Sequence, residues 1–441
     1  MRILYVCHQF FPQHVGGTEL YTYGLARRMV KAGHETLVLS YRESPSPDPN
    51  DFGLTFDQYR EVPTAYIEYN LSVAYRPVRA EYDNPEIMPF LEEIFGKYQP
   101  DLIHHTHSMK VSGRAISFFA KRQVPSILTL TDFWAICPRH TLVKWNGDLC
   151  QGPKNAFACA RCLHDTHGFF PGKIIDFPSR MEEVYLWVHR FAPKPYAAPG
   201  IQQDARDLAR RQRHLRDQML RADHLIVLSA FQKKMLVRNG FPGDRLELRP
   251  HGLETEGLQP KTGLSAPPYR MTFIGSLVPH KGLHMLLKVI EQTKDLPFQW
   301  TIYGEYTRDN LYQATIREAA GLLRNVRLAG TFPSEALSDI MAVTDVLVMP
   351  AQWYENEPLV IKAALYCRIP VMASDIGSLS EMVNHGSTGW LLPPENVTAW
   401  VQTLNKIHKY GLADFVEGVY SFPSMDTYFA DIYDLYKKLV P

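Results

Sequence analysis

The chain has 441 residues, which is too long for one typical domain, so we expect two domains of about 200 residues each. Lys and Arg number 47 and Asp and Glu number 46, and this near balance argues against a general nucleic-acid-binding surface. No stretch reaches the ~18 apolar residues that a membrane-spanning helix needs, and we therefore expect a cytoplasmic enzyme.

The chain opens with a predicted β-α-β unit. Residues 2–7 form an apolar strand, residues 18–32 carry apolar side chains at helical spacing, and residues 36–40 form the next strand. Because this pattern begins at once, we interpret it as a first strand and not as a signal peptide. Gly16 and Gly17 precede the helix, where they would let helix-terminal amides approach an anion, unless they form a plain turn.

Three histidines lie at the end of the next predicted buried strand, residues 101–105. His104 and His105 point to opposite faces of a strand, and His107 lies just beyond it. The sequence therefore favours substrate contacts or ordinary loop histidines over a metal site.

Two polar residues follow the predicted strand at residues 126–130. Thr131 can donate a hydrogen bond but cannot accept a proton near neutral pH, so Asp132 is the nearest titratable group. Asp132 either takes part in substrate recognition or caps the turn that follows it.

An insertion near residues 137–165 contains four cysteines, namely Cys137, Cys150, Cys159 and Cys162. The last two have C-x-x-C spacing, and the four thiolates could bind a structural Zn²⁺ ion tetrahedrally. Reduced packed thiols and redox-active thiols are the alternatives. A four-cysteine site has no open coordination position, so a zinc ion here would stabilise the loop and would not catalyse.

Two helices are predicted after the insertion, at residues 180–192 and 206–222. The second is basic on one side, which is typical of a solvated face but also suits anionic lipid headgroups or a lipid-phosphate acceptor. In the latter case the protein would be peripheral to a membrane. We predict that the first domain covers residues 1–256 and that the polar residues 257–268 are a linker.

The second domain is predicted to cover residues 269–422. After its first strand, residues 270–274, a loop carries Ser276 and Lys281. Lys281 is a compact cation that suits a diphosphate group, and Ser276 can donate a hydrogen bond.

A second loop of this domain follows the predicted strand at residues 345–350 and precedes a helix that begins with Pro358. It carries Glu355 and Asn356. Open α/β sheets bind ligands at the carboxyl ends of strands, so we expect a binding site here. The backbone amides that follow Pro358, those of Leu359 and Val360, could hold a phosphate with the help of the helix dipole.

These motifs together resemble the retaining glycosyltransferases of family 4, in the glycogen synthase and mannosyltransferase-like superfamily. The resemblance rests on the opening MRILYVC…GGTE…LARRMVKAGHETLVLS, the loop GSLVPHKGLHMLL, the Glu355 loop, and Gly377 with Glu381 in a later turn. It implies the GT-B fold, an α/β architecture with two Rossmann-like domains facing across a cleft. It also implies that residues 423–441 form a helix that crosses back and packs on the N-terminal domain.

The resemblance implies transfer of a hexose from a nucleotide-sugar donor to a hydroxyl acceptor, with retention and without a catalytic metal. The acceptor would be a glycan or a lipid-linked glycan in surface polysaccharide or glycoconjugate biosynthesis. If the basic helix at residues 206–222 contacts lipid, the protein would be peripheral at the cytoplasmic face of the inner membrane. Lys281 and Glu355 would be the catalytic residues. The donor-binding residues implied are Gly16, Gly17, Ser276, Lys281, Glu355, Asn356, Pro358, Leu359, Val360 and Glu381. The acceptor-side residues implied are Glu19, His107, Thr131 and Asp132.

Three positions depart from the family pattern. Thr131 replaces a histidine, Ser276 replaces an arginine, and Ala363 replaces the second glutamate of the family motif. They leave open a catalytically impaired GT-B-like subunit that binds a nucleotide sugar or acts as a scaffold. We favour catalysis because Glu355 and Lys281 remain, and buried charges near a cleft are costly to keep without use.

Overall fold

The computed structural model describes residues 1–164, 199–263, 266–306, 310–412 and 422–440. The chain divides into two compact units, of which unit 1 comprises Met1–Pro250 with Phe429–Pro441 and unit 2 comprises His251–Tyr428. The boundary between the two units lies between Pro250 and His251, before the predicted linker at residues 257–268. The helix predicted at residues 180–192 lies outside the described residues.

Unit 1 is built on an eight-stranded sheet with the strand order β3-β4-β2-β1-β5-β6-β7-β8. The strands are β1 (Arg2–Val6), β2 (Glu35–Glu43), β3 (Gly53–Tyr59), β4 (Val62–Tyr69), β5 (Leu102–His105), β6 (Ser126–Leu130), β7 (His224–Val227) and β8 (Leu246–Leu248). All neighbours pair in parallel except β3 and β4, which form an antiparallel hairpin. Strand β3 was not predicted from the sequence, and its side chains are half-buried or exposed.

The described helices of unit 1 pack around this sheet. They are α1 (Gly17–Lys31), α2 (Pro77–Ala80), α3 (Met88–Tyr98), α4 (Arg114–Lys121), α5 (Ala156–His164), α6 (Pro199–Met219) and α7 (Ala230–Arg238). The apolar spacing of α1 buries Leu25, Ala26 and Met29 completely against the sheet. Helix α5 lies in the cysteine insertion, where the sequence analysis gave no helix, and it carries both Cys159 and Cys162.

Unit 2 is built on a six-stranded parallel sheet with the order β11-β10-β9-β12-β13-β14. Its strands are β9 (Tyr269–Ile274), β10 (Phe298–Tyr303), β11 (Val326–Gly330), β12 (Val346–Met349), β13 (Val371–Ser374) and β14 (Gly389–Leu392). Its described helices are α8 (Leu283–Gln292), α9 (Leu311–Gly321), α10 (Leu337–Val343), α11 (Leu359–Tyr366), α12 (Leu379–Met382) and α13 (Val397–Tyr410). The buried core includes Trp300 and Trp400.

Each sheet changes direction once along the chain. In unit 1 the chain moves outwards from β1 and then returns to β5 on the other side, and in unit 2 it moves from β9 outwards and returns to β12. The carboxyl ends of such neighbouring strands flank the crevice where open α/β sheets bind ligands. The topology therefore gives each unit one preferred ligand position.

The last helix, α14 (Met425–Leu439), begins in unit 2 and continues into unit 1. Within unit 1, the Tyr436 hydroxyl lies 2.6 Å from His104 Nδ1, and the Tyr433 hydroxyl lies 2.9 Å from His34 Nε2. The predicted α/β class with two Rossmann-like units, and the return of the C-terminal helix to the first of them, are confirmed.

Candidate functional site

The ligand position of unit 2 brings Lys281 and Glu355 together. Lys281 follows β9 and Glu355 follows β12, and these strands are neighbours, so their loops meet at one sheet edge. Lys281 Nζ lies 2.6 Å from Glu355 Oε1, and Trp353 Nε1 donates a hydrogen bond of 2.7 Å to the same oxygen. The side chains of Lys281 and Glu355 are only 18% and 7% exposed. A largely buried cation and a buried carboxylate thus stand in contact at this sheet edge.

The two loops approach so closely because Gly282 has no side chain. Its φ is +77°, and a Cβ atom there would lie 1.8 Å from the carbonyl oxygen of Pro350. The Gln352 N–H also donates a hydrogen bond of 2.8 Å to the carbonyl of His280. The positive φ and the close approach together favour glycine at this position.

The other residues predicted to bind the donor in unit 2 lie along the same edge. Ser276 is exposed after β9, Asn356 is buried beside Glu355, and Glu381 is exposed on α12, which follows β13. Pro358 is the N-cap of α11, so the helix begins at Leu359 and not at Pro358 as predicted. Leu359 and Val360 occupy its first turn. The structure adds Ser378, whose hydroxyl donates a hydrogen bond of 2.7 Å to the carbonyl of Glu355.

A buried ion pair that the sequence analysis did not predict lies two residues beyond Glu355. Lys362 Nζ contacts the carboxylate of Glu357, and these side chains are 0% and 5% exposed. The backbone N–H of His251 donates a hydrogen bond of 2.8 Å to Glu357, and Lys362 donates one to the carbonyl of His251. Burial raises the pKa of Glu357 and lowers the pKa of Lys362, and the attraction between the two charges opposes both shifts. Ala363, at the position of the family's second glutamate, is fully buried.

In unit 1, Glu19 lies in the first turn of α1 and its carboxylate folds back onto the glycine turn. A Cβ atom at Gly16 would lie 2.7 Å from Glu19 Oε2, whereas one at Gly17 would meet nothing within 4 Å. Burial raises the pKa of Glu19, and backbone hydrogen bonds from Glu19 itself and Gly16 lower it in part. Glu19 thus supplies the carboxylate half of a capping box, while the N-cap residue, Gly16, has no side chain to complete it.

The ligand position of unit 1 contains a chain of titratable side chains. His107 Nε2 lies 3.0 Å from Asp132 Oδ2, and the rings of His107 and His8 have centroids 4.2 Å apart. His8 Nε2 in turn lies 3.7 Å from Glu19 Oε1. Burial alone would raise the pKa of Asp132, but the neighbouring His107 holds it well below its usual range. His8 was missed because it is simply the first polar side chain after β1, which is a weak signal.

Thr131 serves a local structural purpose in this cluster. Its hydroxyl accepts a hydrogen bond of 2.9 Å from Thr18 on α1 and donates one of 3.3 Å to the carbonyl of Thr106. The structure therefore brings all four predicted acceptor-side residues to one sheet edge of unit 1, with Thr131 also tying α1 to the loop after β5.

The four cysteines of the insertion are all free thiols. Burial raises the pKa of Cys159, and the thiols of Cys137, Cys162 and Cys150 raise it further, so the four lie near one another. In the part of the chain that the structure describes, the only group of three or more metal-ligating atoms within 4.8 Å of one another comprises Cys7, His8 and Glu19. The four cysteine sulfurs are therefore neighbours without forming a closed ligand set.

The basic side of the predicted helix at residues 206–222 falls on α6, which begins earlier, at Pro199. Arg206, Arg210 and Arg213 are exposed there, at a spacing that places them on one face. None of the helices in the described part of the chain combines the length and the apolar character that crossing a bilayer requires.

Family models match both parts of the chain. The model described as Glycosyltransferase Family 4 matches residues 15–256, and the model described as Glycosyl transferases group 1 matches residues 255–412. The chain belongs to glycosyltransferase family 4. The resemblance inferred from the motifs is thus confirmed, and the two matches meet close to the division between units 1 and 2.

This family-4 chain is similar in sequence to two bacterial glycosyltransferases. It is 30% identical over 176 residues to the D-inositol 3-phosphate glycosyltransferase of Corynebacterium urealyticum, covering 38% of this chain and 41% of that protein. It is 25% identical over 202 residues to the amylovoran biosynthesis glycosyltransferase AmsK of Erwinia amylovora, covering 44% of this chain and 49% of that protein. In both cases the alignment spans less than half of the relative's own length.

Solved structures share the fold over the whole family-4 chain. The sucrose-phosphate synthase of Thermosynechococcus elongatus superposes with a TM-score of 0.66 at 18% identity, covering 99% of this chain and 98% of that one. The Anabaena protein HepE, solved with UDP and glucose, superposes with a TM-score of 0.59 at 15% identity, covering 99% of both chains. At these identities the likeness concerns the fold alone.

Proposed function

We propose that this family-4 protein transfers a hexose from a nucleotide-sugar donor to a hydroxyl acceptor with retention at the anomeric carbon. The observation that carries this proposal is the largely buried contact between Lys281 and Glu355 at the ligand position of unit 2. As the sugar leaves, its diphosphate gains negative charge and its anomeric carbon becomes cation-like. A preformed cation and carboxylate, fixed in a partly buried site, suit that separation of charge.

Lys281 would donate a hydrogen bond to the departing diphosphate, with the first amides of α11, at Leu359 and Val360, adding the favourable end of the helix dipole. Glu355 would hydrogen-bond the donor sugar and stabilise positive charge near it. Ser276, Asn356 and Glu381 would line the same donor site. Gly16 and Gly17 stay predicted donor-binding residues of unit 1. No metal is required for this charge arrangement.

On the acceptor side, we assign recognition of the attacking hydroxyl to His107 and Asp132, with Glu19 and Thr131 shaping the surrounding pocket. The low pKa of Asp132 keeps it ionised, so that it can accept a hydrogen bond from a hydroxyl group. The acceptor would be a glycan or a lipid-linked glycan of a surface polysaccharide. The name of the relative AmsK, an amylovoran biosynthesis glycosyltransferase, supports this direction.

A lipid-linked acceptor would place the protein at the cytoplasmic face of the inner membrane. The exposed face formed by Arg206, Arg210 and Arg213 supports this proposal, because such residues attract anionic headgroups. Flotation with vesicles that contain anionic lipid should carry the wild-type protein upwards, and charge reversal at the three arginines should abolish this. Equal flotation of both proteins would refute the membrane contact.

We also propose that Cys137, Cys150, Cys159 and Cys162 hold a structural zinc ion beside unit 1's sheet. The proximity of the four thiols and the C-x-x-C spacing on α5 support this, although the sulfurs would have to draw together around the ion. Elemental analysis of protein purified without chelator should give one zinc per chain, and Cys159→Ala should lower it. Zinc-free protein of unchanged stability would exclude the site.

The test of the transferase proposal has two steps. A thermal-shift screen against UDP, GDP, ADP, CMP and dTDP sugars should identify the donor, because a ligand that binds only the native state raises the melting temperature. The release of nucleoside diphosphate from that donor should then depend on Lys281. NMR should show that the sugar is initially released with the anomeric configuration that it had in the donor. Lys288→Met, on the exposed side of α8, is the matched control. Binding without any release would instead favour a nucleotide-sugar-binding subunit, as the replacements at Thr131, Ser276 and Ala363 would allow.

A further inference from the structure

The ion pair between Glu357 and Lys362 lies in the loop and helix that carry the proposed donor site, yet the reaction outlined above does not use it. Both side chains are buried, at 5% and 0% exposure. Apolar residues often replace a buried ion pair without loss of stability, because the attraction between the charges does little more than offset their desolvation. Stability alone therefore does not account for this pair.

The pair fixes the end of the Glu355 loop to one backbone position. Glu357 accepts the N–H of His251 at 2.8 Å, and Lys362 donates to the carbonyl of the same residue. Both backbone groups of His251 are thus bound by one pair of side chains. Because Glu357 is only two residues from Glu355, this contact limits how far the catalytic carboxylate can move.

The beginning of the same loop is fixed independently. The Gln352 N–H binds the carbonyl of His280 at 2.8 Å, next to Lys281, and Ser378 binds the carbonyl of Glu355 at 2.7 Å. Glu355 therefore lies between two anchored points. Only the later anchor consists of charged side chains, and it lies next to Ala363, where the family motif has its second glutamate.

We propose that Glu357 and Lys362 are positioning residues, which hold the Glu355 carboxylate against Lys281 while the diphosphate departs. This inference rests on the proposed function. Since the two charges cancel, the pair stiffens the loop without adding net charge near the diphosphate, and Lys281 keeps its electrostatic effect. A displacement of about 1 Å in a catalytic group can lower a rate by ~10²-fold, so a loosened anchor should be visible in kcat.

The experiment compares Lys362→Met with the double variant Glu357→Gln/Lys362→Met. The single variant leaves an unpaired buried carboxylate and should lower both the melting temperature and nucleoside diphosphate release. The double variant removes both charges and should recover the melting temperature. Its kcat, measured with the nucleotide sugar of the screen that the wild type hydrolyses fastest, should stay at least ~10-fold low while KM changes little.

A control separates loss of stability from loss of positioning. Lys261→Met removes one cation from a mostly buried charge cluster of unit 2 outside the Glu355 loop, in which Asp345 lies 3.0 Å from Lys261 and 2.7 Å from Arg270. This variant should lower the melting temperature and leave kcat unchanged at temperatures where the protein is folded. Recovery of both stability and kcat in the double variant would overturn the positioning role.

If the double variant does not fold, Glu357→Asp decides the question. It keeps the charge but shortens the side chain by one methylene, so kcat should fall while the chain stays folded. An unchanged kcat would again overturn the inference. Wild-type protein that releases no diphosphate from any nucleotide sugar would refute the proposed function itself, a result distinct from an active double variant.

Discussion

Removing the charge of Lys281 should affect stability and diphosphate release in separable ways. In Lys281→Met the carboxylate of Glu355, with a side chain only 7% exposed, keeps the hydrogen bond from Trp353 but loses its cation. Breaking a buried pair on one side typically costs about 3–5 kcal/mol. Because Lys281 is 18% exposed and Trp353 remains, we expect a loss of about 2–3 kcal/mol in the free energy of unfolding.

The double variant Lys281→Met/Glu355→Gln removes both charges and should recover most of that loss. Two residues in contact commonly show a coupling energy of about 0.5–3 kcal/mol, which the four proteins of this cycle measure directly. Nucleoside diphosphate release should not recover, since the group that stabilises the departing charge is still absent. We expect a fall of ~10²-fold or more in both variants.

The assay is urea-induced unfolding followed in parallel with diphosphate release, with Lys288→Met as the lysine control. Release at near wild-type rate in Lys281→Met would refute the role of this lysine in the reaction. Recovery of release in the double variant would show that the pair is structural only.

Three further predictions concern other parts of the fold. Gly282→Ala should lower the melting temperature because its Cβ would lie 1.8 Å from the carbonyl oxygen of Pro350. Gly386→Ala, also at positive φ but with nothing within 4 Å of its Cβ, should lower the melting temperature less. Equal effects of the two variants would contradict the steric explanation. Burial lowers the pKa of His104 to about 3, so the folded chain binds fewer protons than the unfolded chain, where the pKa is ~6.5. The contribution of neutral His104 to the free energy of unfolding is therefore fully present above pH ~6.5 and is lost as the pH falls towards 3. His104→Gln should weaken this acid dependence in unfolding experiments. Asp132→Asn should lower diphosphate release while leaving the donor-induced thermal shift intact, and a lost shift would place Asp132 on the donor side.

Local periodicity predicted the elements that surround the candidate site. The run at residues 345–350 corresponds to β12, the residues after Pro358 form α11, and the charged residues at 281 and 355 follow neighbouring strands. These features depend on residues close in sequence, since a buried parallel strand and a helix start each leave a short-range pattern. The placement of Lys281 and Glu355 in one site could be predicted because the family motifs place both residues directly after strands.

Features that depend on distant residues escaped the sequence analysis. Glu357 and Lys362 look like ordinary loop and helix residues in the sequence. Their shared partner is the backbone of His251, 106 positions away from Glu357, and local periodicity does not reveal it. His8 could not be assigned to the site from the sequence, because its contact with the ring of His107 depends on the pairing of β5 with β1. The hairpin strand β3 was missed because its side chains are half-buried or exposed, so it lacks the continuous apolar run of a core strand.

The most direct measurement is a crystal structure of the protein with the nucleoside diphosphate that raises its melting temperature most. The diphosphate should lie at the carboxyl ends of β9 and β12, with a terminal phosphate oxygen about 3 Å from Lys281 Nζ. A diphosphate bound elsewhere, with Lys281 still held only by Glu355, would contradict the account.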